Sequence, residues 1–132
     1  MTLQMTGDDW DRQFTRQAGW TRAVRLHLYR RARVQRARRL LDVGSGTGAV
    51  TEELATKTRG QVVGIDLDGA MIAYAQGRHG RAEYRHGDAH DLPFQDGWFD
   101  VTVCHFVLMW CRDSVQAARE MVRVTRPGGT VL

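Results

Sequence analysis

Leu40-Leu41-Asp42-Val43-Gly44-Ser45-Gly46-Thr47-Gly48-Ala49-Val50 places one acid and three alternating glycines between two apolar segments. Leu40, Leu41 and Val43 have the pattern of a buried strand end, and Ala49, Val50 and Leu54 that of a helix packing back on it. Gly44, Gly46 and Gly48 occupy the turn between them. Glycine takes positive φ and has no Cβ, so backbone there can approach a ligand closely. The helix start adds N–H groups that have no partner within the helix. Together these features predict a ligand-binding turn.

Two glycine patterns fit it. The dinucleotide fingerprint G-x-G-x-x-G/A is satisfied by Gly44, Gly46 and Ala49, with Asp66 at the distance of a ribose-binding acid. The pattern D-x-G-x-G-x-G is satisfied by Asp42, Gly44, Gly46 and Gly48, and Asp42 and Gly48 favour it.

The rest of the chain extends the alternation of strands and helices. Gln61 to Asp66, QVVGID, is a β-branched run ending in an acid, and Asp68 caps a predicted helix from about Gly69 to Gln76. A weaker strand is expected over Ala82–His86, then a loop, Gly87 to Phe94 (GDAHDLPF). Phe99 to His105, FDVTVCH, reads as a further strand, and Asp113-Ser114-Val115-Gln116 opens a helix as a D-x-x-Q cap. Arg126-Pro127-Gly128-Gly129 should stop that helix and turn into a last strand. Such alternation predicts an α/β fold, a parallel sheet with helices on both faces.

In order, LLDVGSGTG, VVGIDLD, GDAHDLPF, FDVTVCHFVLMW and REMVRVTRPGGTVL closely resemble the landmarks of the class I S-adenosylmethionine-dependent methyltransferases of small-molecule type, over about Leu40 to Leu132. A nicotinamide dehydrogenase needs neither the GDA-x-x-LPF loop nor the RPGG turn. The resemblance implies a Rossmann-like doubly wound parallel sheet lacking its last strands, since the sequence stops within the fifth strand of that pattern. It divides the chain into an N-terminal helical segment, 1–38, serving as lid or packing helix, and an S-adenosylmethionine-binding core, 39–132. A raw parallel edge invites pairing with another chain, so a homodimer through that edge is expected.

The resemblance also implies roles for individual residues. The loop Gly44–Gly48, with Ser45 and Gly46, would pass under the ribose and the amino-acid tail, and Asp42 would hold the ammonium group. Asp66 would accept from both ribose hydroxyls, two carboxylate oxygens matching two vicinal donors. Leu67 and Met71 would flank the adenine, Asp88 would take its exocyclic amine, and the Ala89 N–H would meet a ring nitrogen. Cys104 and His105 would lie near the tail and the methyl group. The implied activity is methyl transfer to a small-molecule acceptor, leaving S-adenosylhomocysteine. Such a transfer needs a base only if the acceptor must lose a proton, and His105 is the one nearby candidate.

Simpler roles stand beside these. Capping alone accounts for Asp68, core packing for Met71, and turn chemistry for Asp88 and Asp91. His86 and His90 lie beside Asp88 and Asp91, but the methyltransferase loop already explains the acids, and no metal is expected. Cys104 and Cys111 lack ligand spacing and read as reduced thiols.

Trp20, Val24, Leu28 and Ala32 recur every four positions, predicting an amphipathic helix laid on the sheet or over the cofactor, with Trp20 and Arg22 as lid residues. Arg22 to Arg39 holds eight arginines in a chain of net charge +4 with a single lysine, so a nucleic-acid surface is a competing expectation. Aromatic interleaving for base stacking is missing, and CHFV stands where methylases of adenine bases carry N/D-P-P-Y/F. A catalytically inactive S-adenosylmethionine-binding module and an RNA-modifying methyltransferase are the alternatives to a small-molecule enzyme. The opening MTLQMTGDDWDR has no apolar signal core and no run approaches a membrane-spanning length, so a cytoplasmic protein without a membrane partner is expected.

Overall fold

The computed structural model describes residues 4–132. Five parallel strands, β1 (Arg39–Val43), β2 (Gln61–Asp66), β3 (Glu83–His86), β4 (Phe99–Cys104) and β5 (Thr125–Val131), form one sheet in the order β3-β2-β1-β4-β5. The helices are α1 (Gly7–Trp20), α2 (Arg22–Arg31), α3 (Ala49–Ala55), α4 (Gly69–Arg78) and α5 (Ser114–Val124). Strand order reverses between β1 and β4, which opens a crevice at their carboxyl ends.

The core lies on both faces of the sheet because successive strand residues point to opposite sides. Leu40, Val62, Val101 and Val103 pack with Tyr29, Val34 and Leu54 on one face. Leu41, Val43, Val63 and Ile65 pack with Leu92, Met121 and Val124 on the other. Asp68 accepts from the Ala70 N–H and caps α4, and Asp113 accepts from the Gln116 N–H and caps α5. Only half of the expected D-x-x-Q box forms, for the Gln116 side chain donates to the His90 carbonyl instead.

Two expectations are corrected. Arg126–Gly129 does not turn into β5 but lies within it, as an irregularity: Phe99 faces Thr125, and Val101 faces Thr130. The residues between are extra length on an edge strand, which tolerates Pro127 because that side makes no ladder.

The second correction concerns the N-terminal stripe. Trp20, Val24 and Leu28 are 72%, 63% and 39% exposed, whereas Ala18, Arg25 and Tyr29 are buried. The helical path breaks at Thr21, between α1 and α2, which shifts the phase of the face turned inward. Arg25 can take the inner position because its guanidinium is fully partnered. It donates to both Glu53 carboxylate oxygens at 2.9 and 3.0 Å, to the Ala18 carbonyl at 2.8 Å and to Thr21 Oγ1 at 3.1 Å. Buried charge with this many partners is tolerated where a lone charge is not.

Candidate cofactor site

A cavity of about 690 Å³ opens over the carboxyl ends of β1, β2 and β4. Asp42, Gly44, Ser45, Gly46, Asp66, Leu67, Asp88, Ala89 and His105 all line it, although they are far apart in sequence. Met71, Gly48 and Cys104 do not. Met71 is half-buried on α4. Gly48 starts α3 with φ 91°, beneath Tyr84 and His79. Cys104 packs into the core cluster under the sheet, where burial pushes its thiol up to about 11.

The glycine turn is shaped by its surroundings. Gly44 (φ 76°) donates to the Ile65 carbonyl at 2.7 Å, and a Cβ there would stand 2.2 Å from Val107 Cγ2. Gly46 (φ 53°) donates to Asp66 Oδ2 at 2.8 Å. Asp66 Oδ1 accepts from the Asp68 N–H at 2.9 Å, so this carboxylate is fixed at the end of β2 by two backbone donors.

Asp42 sits at the bottom, 2% exposed. Its Oδ2 accepts from Thr51 Oγ1 at 2.7 Å, while Oδ1 has no partner among the described residues. Desolvation pushes its carboxyl up to about 7; the Thr51 hydroxyl opposes the rise, the Asp66 charge adds to it, and Arg25 opposes it. Ser45 Oγ is likewise buried without a partner. Buried polar atoms seldom go unsatisfied, so two such atoms on residues that line a cavity mark where a polar ligand belongs. The chemistry suits a cation at Oδ1, because a positive charge would return the carboxylate to its ordinary ionised range.

Asp88 lies in the loop after β3. Its Oδ1 accepts from the His90 N–H at 2.9 Å and from His90 Nδ1 at 2.7 Å, and these bonds hold it below the usual carboxylate range against a smaller desolvation cost. His90 Nε2 accepts from the Asp113 N–H at 3.1 Å. This arrangement was not legible in the sequence, since it depends on α5 reaching the loop.

His105 follows β4 and meets Thr21 Oγ1 at 2.7 Å through Nε2. Thr21 Oγ1 also accepts from Arg25, and a hydroxyl with one proton and two lone pairs can meet His105 Nε2 as donor or as acceptor, according to the tautomer of the ring. Burial, with Arg25 adding to it, lowers the pKa of the imidazole, so it is neutral at pH 7. Trp10 and Phe14 stack at 5.5 Å and line the same cavity from α1, as do Trp20 at the end of α1 and Phe106, Met109 and Trp110 beyond β4. Of the α1 aromatics, Trp20 was expected as a lid residue, whereas Trp10 and Phe14 went unrecognised in sequence because they fall outside the period-four stripe. No group of metal-ligating side chains occurs among the described residues.

This crevice, with an acid at the end of each of two adjacent strands and a glycine turn between them, defines a nucleotide-cofactor fold of the Rossmann-like class. The sequence pattern described as a methyltransferase domain matches residues 41–132, and the chain belongs to that family. It is similar to the biotin biosynthesis bifunctional protein BioHC of Cellvibrio japonicus, 39% identical over 115 residues, covering 85% of this chain and 22% of that protein. It is also similar to the ubiquinone/menaquinone biosynthesis C-methyltransferase UbiE of Idiomarina loihiensis, 36% identical over 107 residues, covering 75% of this chain and 43% of the relative. The chain thus spans less than half the length of either curated relative. Among solved structures, a candidate S-adenosyl-L-methionine-dependent methyltransferase from Methanococcus maripaludis superposes with a TM-score of 0.79 at 21% identity, covering 99% of this chain and 65% of that one. That likeness shows the fold. No helix among the described residues is long and apolar enough to cross a membrane.

Proposed function

We propose that the cavity binds S-adenosylmethionine and that the protein transfers its methyl group to a small-molecule acceptor, releasing S-adenosylhomocysteine. The observation that carries this reading is the unpartnered, buried Asp42 Oδ1 below a turn whose three glycines all take positive φ. Family membership supports the choice of cofactor. When bound, the cofactor supplies an electrophilic methyl on a sulfonium.

The chain's own residues bind and orient. Asp42 and Ser45 take the ammonium end, and Gly44 and Gly46 let the backbone pass under the tail and ribose. Asp66 accepts from the ribose hydroxyls, keeping its hold on the Gly46 and Asp68 N–H groups through the lone pairs left over. Leu67, 64% exposed, covers one side of the adenine, and Asp88 with the Ala89 N–H reads its edge. Helix α1 closes the site through Trp10, Phe14 and Trp20. Much of the rate comes from alignment of donor and acceptor atoms, which such walls provide. His105 serves as a positioned imidazole, held through Nε2 by Thr21, and is the candidate base where the acceptor must lose a proton.

Calorimetric titration with S-adenosylhomocysteine tests the reading, with a nicotinamide dinucleotide as control. Saturable binding of the former alone is the expected result; no binding of it overturns the proposal. A homodimer through the open side of β5, which pairs only with β4, is tested by sedimentation. A single monomeric species across concentrations would exclude it.

A further inference from the structure

His90 is the only residue whose side chain touches Asp88 among the described hydrogen bonds, and its geometry fixes its protonation. A backbone N–H can only donate, so the 3.1 Å contact from the Asp113 N–H makes His90 Nε2 an acceptor, without a proton. In the neutral ring the proton is therefore on Nδ1, and Nδ1–H donates to Asp88 Oδ1 over 2.7 Å. The His90 backbone N–H reaches the same oxygen at 2.9 Å. Asp88 Oδ1 is thus saturated with two donors. Oδ2 has no partner among the described residues, on a side chain 44% exposed that lines the cavity.

His90 itself is held from three sides. Its side chain is only 16% exposed, its Nε2 is tied to the first residue before α5, and its carbonyl accepts from the Gln116 amide at 3.2 Å. A carboxylate on a loop would otherwise rotate between several orientations. Fixing one oxygen from a rigid helix start leaves the other in one place.

We propose that His90 is the positioning residue for adenine recognition: anchored to α5, it pins one oxygen of Asp88 so that the other faces the cavity as a ready acceptor for the exocyclic amine. The inference rests on the cofactor reading above and adds to it a residue that does not touch the ligand amine itself. It also makes a specific demand. Loss of His90 should harm only the interaction of Asp88 with that amine, and leave the grip on ribose and tail unchanged.

The test compares two ligands, S-adenosylhomocysteine and its 6-deamino analogue, which carries hydrogen in place of the amine. Titrations are run on the intact chain as wild type, Asp88→Ala, His90→Ala and His90→Asn. His90→Ala should weaken binding of S-adenosylhomocysteine by about 3- to 10-fold, the range of one net hydrogen bond, and leave the deamino analogue within about 2-fold. His90→Asn retains an amide donor near the position of Nδ1 and should recover most of the preference. Nitrogen-15 spectroscopy of the wild-type imidazole should show a proton on Nδ1 and none on Nε2.

Equal weakening of both ligands by His90→Ala, or no weakening of either, overturns the proposal, as does the opposite tautomer. Failure of the underlying reading looks different. If wild type shows no preference between the ligands, or Asp88→Ala leaves the preference intact, then Asp88 does not read the amine and the assignment of the adenine subsite falls. If His90→Ala does not fold, His90→Asn and the tautomer measurement decide the matter alone.

Discussion

Asp42→Asn separates the cost of the buried carboxyl from its use. In the ligand-free protein burial raises this carboxyl to about 7, from an ordinary value of 3.8. The folded state therefore takes up a proton more readily than the unfolded chain between those two values. By linkage, stability on this account falls as pH rises from about 4 to 7, and the full penalty, at most about 4 kcal/mol, is present above pH 7. Asparagine keeps an oxygen for the Thr51 hydroxyl and removes the charge. Asp42→Asn should accordingly stabilise the ligand-free protein at pH 8 and leave it unchanged near pH 4, as read by denaturant unfolding at both pH values.

Binding should move the other way. An ammonium at Oδ1 favours the ionised carboxylate, so affinity for S-adenosylhomocysteine follows the ionised fraction of Asp42. Wild-type affinity should be about 10-fold lower at pH 6 than on its plateau near pH 8, and about 100-fold lower at pH 5. Calorimetry at pH 6 in buffers of different ionisation enthalpy should register release of about 0.9 proton per ligand bound. In Asp42→Asn the proton release should vanish and affinity at pH 8 should drop by about 1.5–3 kcal/mol, the worth of a hydrogen bond to a charged group. Identical pH profiles of wild type and variant would refute the reasoning, because no other group in the site is argued to titrate with the ligand.

Asp66→Ala should weaken S-adenosylhomocysteine binding by about 1.5–3 kcal/mol in the same titration, because it removes the ribose acceptor and also frees the Gly46 N–H; unchanged affinity would remove Asp66 from the site. Arg25→Ala should cost about 3–5 kcal/mol of stability by leaving Glu53 without its bidentate partner, and a loss below about 1 kcal/mol in denaturant unfolding would contradict the buried ion pair. Val24→Ser should change stability by less than about 0.5 kcal/mol since Val24 is exposed. Tyr29→Ala, from the adjacent face, should cost about 3–5 kcal/mol as an aromatic core truncation.

The succession of strands along the chain, the glycine turn and the two strand-end acids were legible in the sequence because each depends on local chemistry. A run such as QVVGID can be little other than a buried strand, and β2 occupies those six residues. The caps of α4 and α5 were legible for the same reason, an acid followed at fixed spacing by helix-forming residues. The N-terminal stripe misled because periodicity reports a face only while the helix stays unbroken. A break at Thr21 changed the phase, and a fully partnered Arg25 displaced Val24 from the interior.

By itself the sequence determined an α/β chain of the methyltransferase type and the residues from which its cofactor turn is made, since hydrophobic period and glycine placement act within a few residues. Only the tertiary structure decided which of those residues share the cavity, excluding Met71, Gly48 and Cys104, and which side chains hold them in place. The pairing of His90 with Asp88 and Asp113, and of His105 with Thr21, joins elements that meet only when the sheet is assembled. The raised carboxyl of Asp42 has the same origin, because burial is a property of the packed molecule and not of the residue.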